Sequence, residues 1–374
     1  MKKFHPSWVA AAATALLVAC SGGGEGDQSP RVEYGKMVTF GDSLSDVGSY
    51  KVGVVASMGG GRYTINTGDP VNWTELLATT LGVDALCSAQ TGLNSAAELG
   101  GHQPVEDHAG CYSYAQGGAR VTDDVGPGNE ALWLVYGLES GKLGQLTVPV
   151  QKQIQRHLDL SNGSFASGDL VTVMAGGNDL FMTIPFVFQG TLAQTGNLDQ
   201  AKAAANAAMT AAGAQLAGYV KDLIVAKGAE RVVVVNLPDV SSTPAYLSAD
   251  ADSGTDTDDF VTRALVLELV QAYNTALATG LEASSSTNVL LVDAFSVSQD
   301  QAAHPTQYGL TNVTTPACDL ENMPLATSLA CSTDTLVAGV TETWQYADTV
   351  HPTPYGYKLL AQLVTAEMSK KGWL

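Results

Sequence analysis

Apolar residues recur along this chain with two alternating periods, and the alternation predicts its architecture. Short β-like runs occur at Met37–Phe40, Asp169–Ala175, Arg231–Pro238 and Val289–Asp293, each ending in glycine, proline or polar residues. Between them lie segments with helical spacing: Asn72–Leu81, Leu146–Leu158, the alanine-rich Asp199–Lys227, Asp259–Thr279 and Pro354–Lys370. In the long helix Leu216, Val220, Leu223 and Ile224 share a face, and in the last one Leu359, Leu360, Leu363 and Val364 are expected to face the core. The run Arg231–Pro238 is continuously apolar, as in a strand covered on both faces. Strands alternating with helices of this length predict an α/β fold, a three-layer α/β/α sandwich around a central parallel sheet.

Two stretches carry neither period. Residues 84–111 are polar, dotted with glycine and bounded by cysteines, and 295–347 form a second long excursion with another cysteine pair. Both are expected to be loops on one domain spanning 35–374. The acidic run Asp250–Asp259 looks superficially like a calcium loop but lacks the downstream glutamate, and is read as a solvated loop that caps a helix.

The amino terminus is an address rather than part of the fold. Lys2 and Lys3 precede an apolar run from Trp8 to Ala19 that is too short to span a bilayer. Leu17-Val18-Ala19-Cys20 resembles the lipobox of bacterial lipoproteins, which implies a signal peptide at 1–19, lipidation of Cys20 and a flexible tether over 20–34. Ser21 after that cysteine implies an exported lipoprotein anchored in the outer membrane, touching the membrane through Cys20, or else a secreted protein. Export leaves Cys87, Cys111, Cys318 and Cys331, an even number in an oxidising compartment. Of the three possible pairings, Cys87 with Cys111 and Cys318 with Cys331 close local loops and are preferred.

The formal charge of the chain is -19, and loss of the two signal lysines leaves it more negative still. That excludes nucleic acid and anionic membrane surfaces as electrostatically attracted partners. The 374 residues, 45% of them hydrophobic, suffice for a large core, and a monomer is expected.

The candidate chemistry sits at strand ends. Gly41-Asp42-Ser43-Leu44-Ser45 follows the first strand and puts Ser43 on a strand-to-helix corner. Tyr114–Ala119, with the pair Gly117-Gly118, Gly176-Gly177-Asn178-Asp179 and Asp348-Thr349-Val350-His351-Pro352 complete a set of four. In that order they resemble the four blocks of the GDSL, or SGNH, hydrolases, and the resemblance runs from about Met37 to Lys370. It implies a flavodoxin-like SGNH fold and a serine hydrolase cleaving carboxylic esters without a cofactor or metal. Ser43 would be the nucleophile, His351 the base and Asp348 its orienter, with the oxyanion held by the backbone of Ser43 and Gly118 and the amide of Asn178. Ser113 and Arg120 depart from the usual second block, so Gly117 stays open as the oxyanion glycine. Phospholipase, lysophospholipase or lipid acyltransferase activity is the alternative, and a non-catalytic binding lipoprotein the second one.

Three features compete with this reading. His304-Pro305-Thr306-Gln307-Tyr308-Gly309 imitates the block around His351, but Gln301 stands where His351 has Asp348, which selects His351. His102, Glu106, Asp107 and His108 cluster without a recognised metal-ligand spacing, and His157 lacks a comparable neighbour. Asp42 and Asp179 are read as organisers of exposed turns, and Phe181–Phe188 as either an acyl-pocket wall or lid or a buried connector.

Overall fold

In the computed structural model the described residues are 32–68, 70–247, 260–282 and 286–374. The expected signal peptide, Cys20, the tether up to Arg31 and the acidic run up to Asp259 lie outside them. Among the described residues no helix is long and apolar enough to cross a membrane.

Among the described residues six strands are formed: β1 (Lys36–Gly41), β2 (Gln90–Asn94), β3 (His102–Asp107), β4 (Asp169–Met174), β5 (Arg231–Val235) and β6 (Val289–Val292). Four of them make a parallel sheet in the order β1-β4-β5-β6, and β2 pairs with β3 antiparallel. Along the other edge of β1 lies a parallel bridge at Ser113, sealed by Thr39 N–H donating to the Tyr112 carbonyl and Tyr114 N–H to that of Thr39. Counting that bridge as a rudimentary second strand gives the flavodoxin-like order expected from the sequence.

Side chains of each strand divide between two cores, as the strand period requires. Val38, Phe40, Val171, Val173, Val232 and Val234 pack under the helices Val150–Leu160, Leu198–Tyr219 and Arg263–Glu282. Met37, Leu170, Met174, Val233 and Val235 face the helices Trp73–Leu81 and Pro354–Lys371. The sheet is thus covered on both sides, and its continuous valine runs follow from that. Helix ends agree with local chemistry: Asn72 and Glu75 form a capping box, and Gly82 takes the left-handed conformation at the other end.

Several boundaries and two larger expectations change. Helix Leu198–Tyr219 loosens into a π turn at Val220–Ile224 and a 3-10 turn at Val225–Lys227 before β5, and helix Arg263–Glu282 starts and ends later than its pattern suggests. Residues 84–111 hold the β2–β3 ribbon, whose polar sequence reads as a loop. Residues 295–347 begin with a helix, Ala294–Ala303. The two excursions share a third core in which Tyr50, Tyr63, Leu93, Leu329 and Ala347 are buried with Cys318 and Cys331. The second is packed structure rather than a solvent loop, whereas the first contributes Leu93 to this core and leaves β3 largely exposed.

Both preferred disulfides form: Cys87–Cys111 across 24 residues and Cys318–Cys331 across 13. Closing loops of this size restricts the unfolded chain by roughly 3 kcal/mol each. Replacing either pair by alanine should lower the unfolding free energy by about that amount in denaturant titrations, and equal midpoints with and without the pair would contradict a stabilising role.

Candidate active site

The site begins where β1 and β4 end side by side, with Gly41 opposite Met174. Beyond Gly41 the chain turns: Asp42 N–H reaches the Met174 carbonyl at 3.3 Å, and the Asp42 carboxylate accepts Leu44 N–H at 3.0 Å. A second anchor comes from the Val150–Leu160 helix, where the Gln153 amide both accepts Gly41 N–H (2.9 Å) and donates to its carbonyl (2.8 Å). Ser43 is thereby held at the carboxyl edge of the sheet, where ligands of open α/β folds bind.

The loop Asp348–Pro352 brings a histidine to it. His351 Nε2 lies 2.8 Å from Ser43 Oγ, and Nδ1 lies 2.8 and 3.0 Å from the two Asp348 oxygens. Because the carboxylate accepts only, Nδ1 carries the proton and Nε2 is left to accept from the serine hydroxyl. Asp348 also takes the N–H groups of Val350, His351 and Ser328. Burial alone would raise its pKa, but the His351 charge and these hydrogen bonds outweigh burial and hold it well below the carboxylate range.

The three predicted oxyanion donors are placed unequally. No acceptor for Ser43 N–H or Gly118 N–H is found among the described residues, whereas Gly117 N–H is donated to Asp46 at 2.9 Å. Of the two glycines, Gly118 therefore has the available donor. Its φ of +76° requires a glycine-like backbone. Asn178 donates one amide hydrogen to the Ala119 carbonyl (2.9 Å), which aligns it with the glycine loop and leaves the second hydrogen available. Asn178, Ser43 and His351 line one pocket of about 100 Å³ whose walls include Leu44, Met174, Phe181 and Leu237.

Three sequence expectations need correction here. Asp42 and Asp179 are buried, not in exposed turns: burial raises Asp42 to about 7 and Asp179 to about 6, the latter despite Arg120 Nε at 3.3 Å and Val121 N–H at 3.0 Å. Arg120, a departure from the usual second block, thus joins that block to the third. His304 does have a carboxylate, Asp300, at 2.8 Å; the helical spacing of four places it outside the position compared with Asp348. His351 is distinguished instead by its contact with Ser43. Last, Phe181–Phe188 divides its roles: Phe181 lines the pocket, Ile184 and Phe188 are core, and Phe186 turns outward against Tyr136.

His102, His108 and His157 have structural partners. His102 meets Asn94, and His108 meets Thr91 across the β2–β3 ribbon, while Asp107 takes Gln90 and Arg156. His157 is buried beside Phe165 and Tyr114, and burial lowers its pKa to about 4. Among the described residues no group of three or more His, Cys, Asp or Glu side chains is arranged to hold a metal.

The family model of GDSL-like lipases and acylhydrolases matches residues 37–364. The chain belongs to that family. The match spans all the elements just described, and as a GDSL hydrolase the chain falls among esterases and lipases. Similar solved structures include phospholipase A1 from Streptomyces albidoflavus NA297, at 15% identity and a TM-score of 0.40, with 89% of this chain and 99% of that one covered. The extracellular lipase of Streptomyces rimosus gives 16% and 0.38 over 89% and 99%. A catalytic mutant of an acetylxylan esterase from Geobacillus stearothermophilus gives 14% and 0.36 over 91% and 96%. No curated protein matches the chain.

Sequence reasoning missed Gln153, Asp46 and Tyr63. Asp46 lies just after the first block and its carboxylate gathers the N–H groups of Gly48, Ser49 and Gly117, a turn signal that is visible in the sequence. Gln153 and Tyr63 lie in segments with no local signal for a role at the site.

Burial of Asp42 has a consequence for stability. The unfolded chain ionises this group near 3.8 and the folded one near about 7, so between these values the fold holds an extra proton and loses stability as pH rises. Asp42→Asn removes that term. The melting temperature of the variant minus that of the wild type should climb from pH 4 to 7, and a flat difference would refute the shift.

Proposed function

We propose that this GDSL hydrolase cleaves carboxylic esters through an acyl-enzyme on Ser43. The observation that carries the reading is the continuous hydrogen-bonded chain from Ser43 Oγ through His351 to Asp348. As Ser43 Oγ attacks the ester carbonyl carbon, its proton passes to His351 Nε2, and Asp348 offsets the imidazolium charge. The carbonyl oxygen, now anionic, is met by the N–H groups of Ser43 and Gly118 and by Asn178. Collapse expels the alcohol, which takes the proton from His351. Water then gives a proton to His351 and its oxygen to the acyl carbon, and the acid leaves as Ser43 recovers the proton.

The pocket supports an apolar acyl group. Leu359, Leu360 and Leu363 line it together with Phe181 and Val297, while Leu360 and Leu363 also pack against the core beneath the last helix. We place the enzyme at a membrane through lipidation of Cys20, on the strength of the Leu17-Val18-Ala19-Cys20 pattern.

Ser43→Ala should fold normally and lose ester hydrolysis by about 10⁴-fold or more, and so should His351→Ala, whereas His304→Ala should stay within roughly 2-fold. Near-normal turnover in Ser43→Ala would sink the mechanism. Assaying short and long acyl esters, a phospholipid and a lysophospholipid, with and without an alcohol acceptor, distinguishes hydrolase from acyltransferase and sets the head group.

A further inference from the structure

Tyr63 is buried, and nothing in the mechanism above uses it. Its ring lies against His351, with centroids 4.8 Å apart and planes at 34°. The segment bearing it is fixed on several sides. Gly61 and Asn66 donate their N–H groups to the Leu329 and Cys331 carbonyls of the disulfide-closed loop. Thr64 donates to the Pro352 carbonyl, and the Tyr357 hydroxyl to the carbonyl of Tyr63 itself. The ring is therefore held where it is rather than resting there.

Two further observations concern its hydroxyl. The oxygen is buried with no hydrogen-bond partner among the described residues, an arrangement that costs stability and calls for an explanation. It also occupies the place where a Cβ on Gly117 would sit: that atom would lie 2.0 Å from Tyr63 Oη and 2.3 Å from Cζ. Gly117 has no positive φ to demand a glycine, and its N–H is committed to Asp46, so space for the tyrosine is what demands it. Gly118 beside it is glycine for its backbone.

The geometry points to Tyr63 as a positioning residue that clamps the face of His351, with Gly117 kept as glycine to admit it. Asp348 grips the imidazole at Nδ1, Ser43 meets it at Nε2, and the aromatic face closes the remaining freedom of the ring. When the imidazole becomes charged during turnover, that face attracts the cation. Asp348 and Asp42 are the ionisable neighbours whose charge His351 feels, and Tyr357 lies behind them. None of these is hydrogen-bonded to the Tyr63 side chain, Tyr357 donating to its backbone carbonyl.

The clamp rests on the proposed role of His351, but it can be measured without turnover. In Tyr63→Leu the His351 pKa, followed by imidazole NMR and assigned with His351→Gln, should fall by about half a unit to one unit. The acid limb of kcat/KM should move to lower pH by the same amount. kcat should drop on the order of 10-fold with KM little changed. Tyr63→Phe, which keeps the ring and removes only the unpartnered hydroxyl, should match wild type in both pKa and kcat.

Gly117→Ala should lower the melting temperature, and much less so in a Tyr63→Ala background, since the two side chains compete for one volume. An unchanged His351 pKa in Tyr63→Leu, or strictly additive effects of the Gly117 and Tyr63 substitutions, would overturn the proposal. If Tyr63→Leu does not fold, Tyr63→Met carries the same titration. A wild-type protein without esterase activity would instead defeat the functional reading and leave the titration to decide the clamp.

Discussion

The contact on which the site depends is backbone against backbone. β1 and β4 run in register and stop together, and at Gly41 a Cβ would fall 2.2 Å from the Met174 carbonyl oxygen. Only glycine lets the first strand close on its neighbour at that point while holding a φ of +151°. The next two residues then leave the sheet in one direction only. Asp42 turns back to the Met174 carbonyl, and Ser43 emerges over the strand ends. Asn178 follows β4 by four residues, so the same pairing that places the serine also places the amide that faces it. The parallel register, set by two strands covered on both faces, is in this sense the first positioning element of the site.

Around this corner Asp42, Asp46, Asp179 and Asp348 are all buried, and the fold treats them differently. Asp348 is ringed by N–H donors and the imidazole and stays ionised. Asp46 also collects N–H donors, but burial still raises its pKa, and burial raises Asp42 and Asp179 as well. What separates Asp348 is the adjacent histidine, whose positive form favours the carboxylate. The difference suits the chemistry: a carboxylate that steadies an imidazolium must keep its charge, whereas supports of a turn need only accept hydrogen bonds. The net charge of -19 plays no part in this local sorting, since most of it is carried by surface groups screened by water.

Much of this was legible in the sequence because the relevant signals are local. β1 and β4 could be read from runs of four to seven residues ending in glycine, and Ser43, Asn178, Asp348 and His351 from their places just beyond strands or just before a helix. The ribbon β2–β3 was not legible, because its strands are short, polar and broken by a bulge between Thr91 and Leu93. The decoy His304 shows a different limit. Counting three residues back finds Gln301, but a helix brings together residues four apart, and Asp300 is the partner. Gln153 and Tyr63 were out of reach for another reason: their neighbours at the site lie 112 and 288 residues away in the chain, and no pattern within either segment records them.

The last helix shows how closely pocket and machinery are tied. Leu359, Leu360 and Leu363 have core spacing, and a pocket wall presents the same spacing, since both need carbon facing away from solvent. Their helix starts at Pro354, three residues beyond His351, with Thr353 as its cap. Whatever fills the pocket therefore pushes on the helix that begins at the base. That helix cannot yield without moving Gly356, which is packed so tightly that a Cβ there would come within 2.7 Å of the Gln345 carbonyl oxygen. Gln345 in turn accepts Thr353 N–H through that same oxygen. Pocket wall and His351 loop are thus joined in one tightly packed unit, so a change of side-chain volume at Leu359, Leu360 or Leu363 acts on the segment that carries His351 as well as on the core beneath.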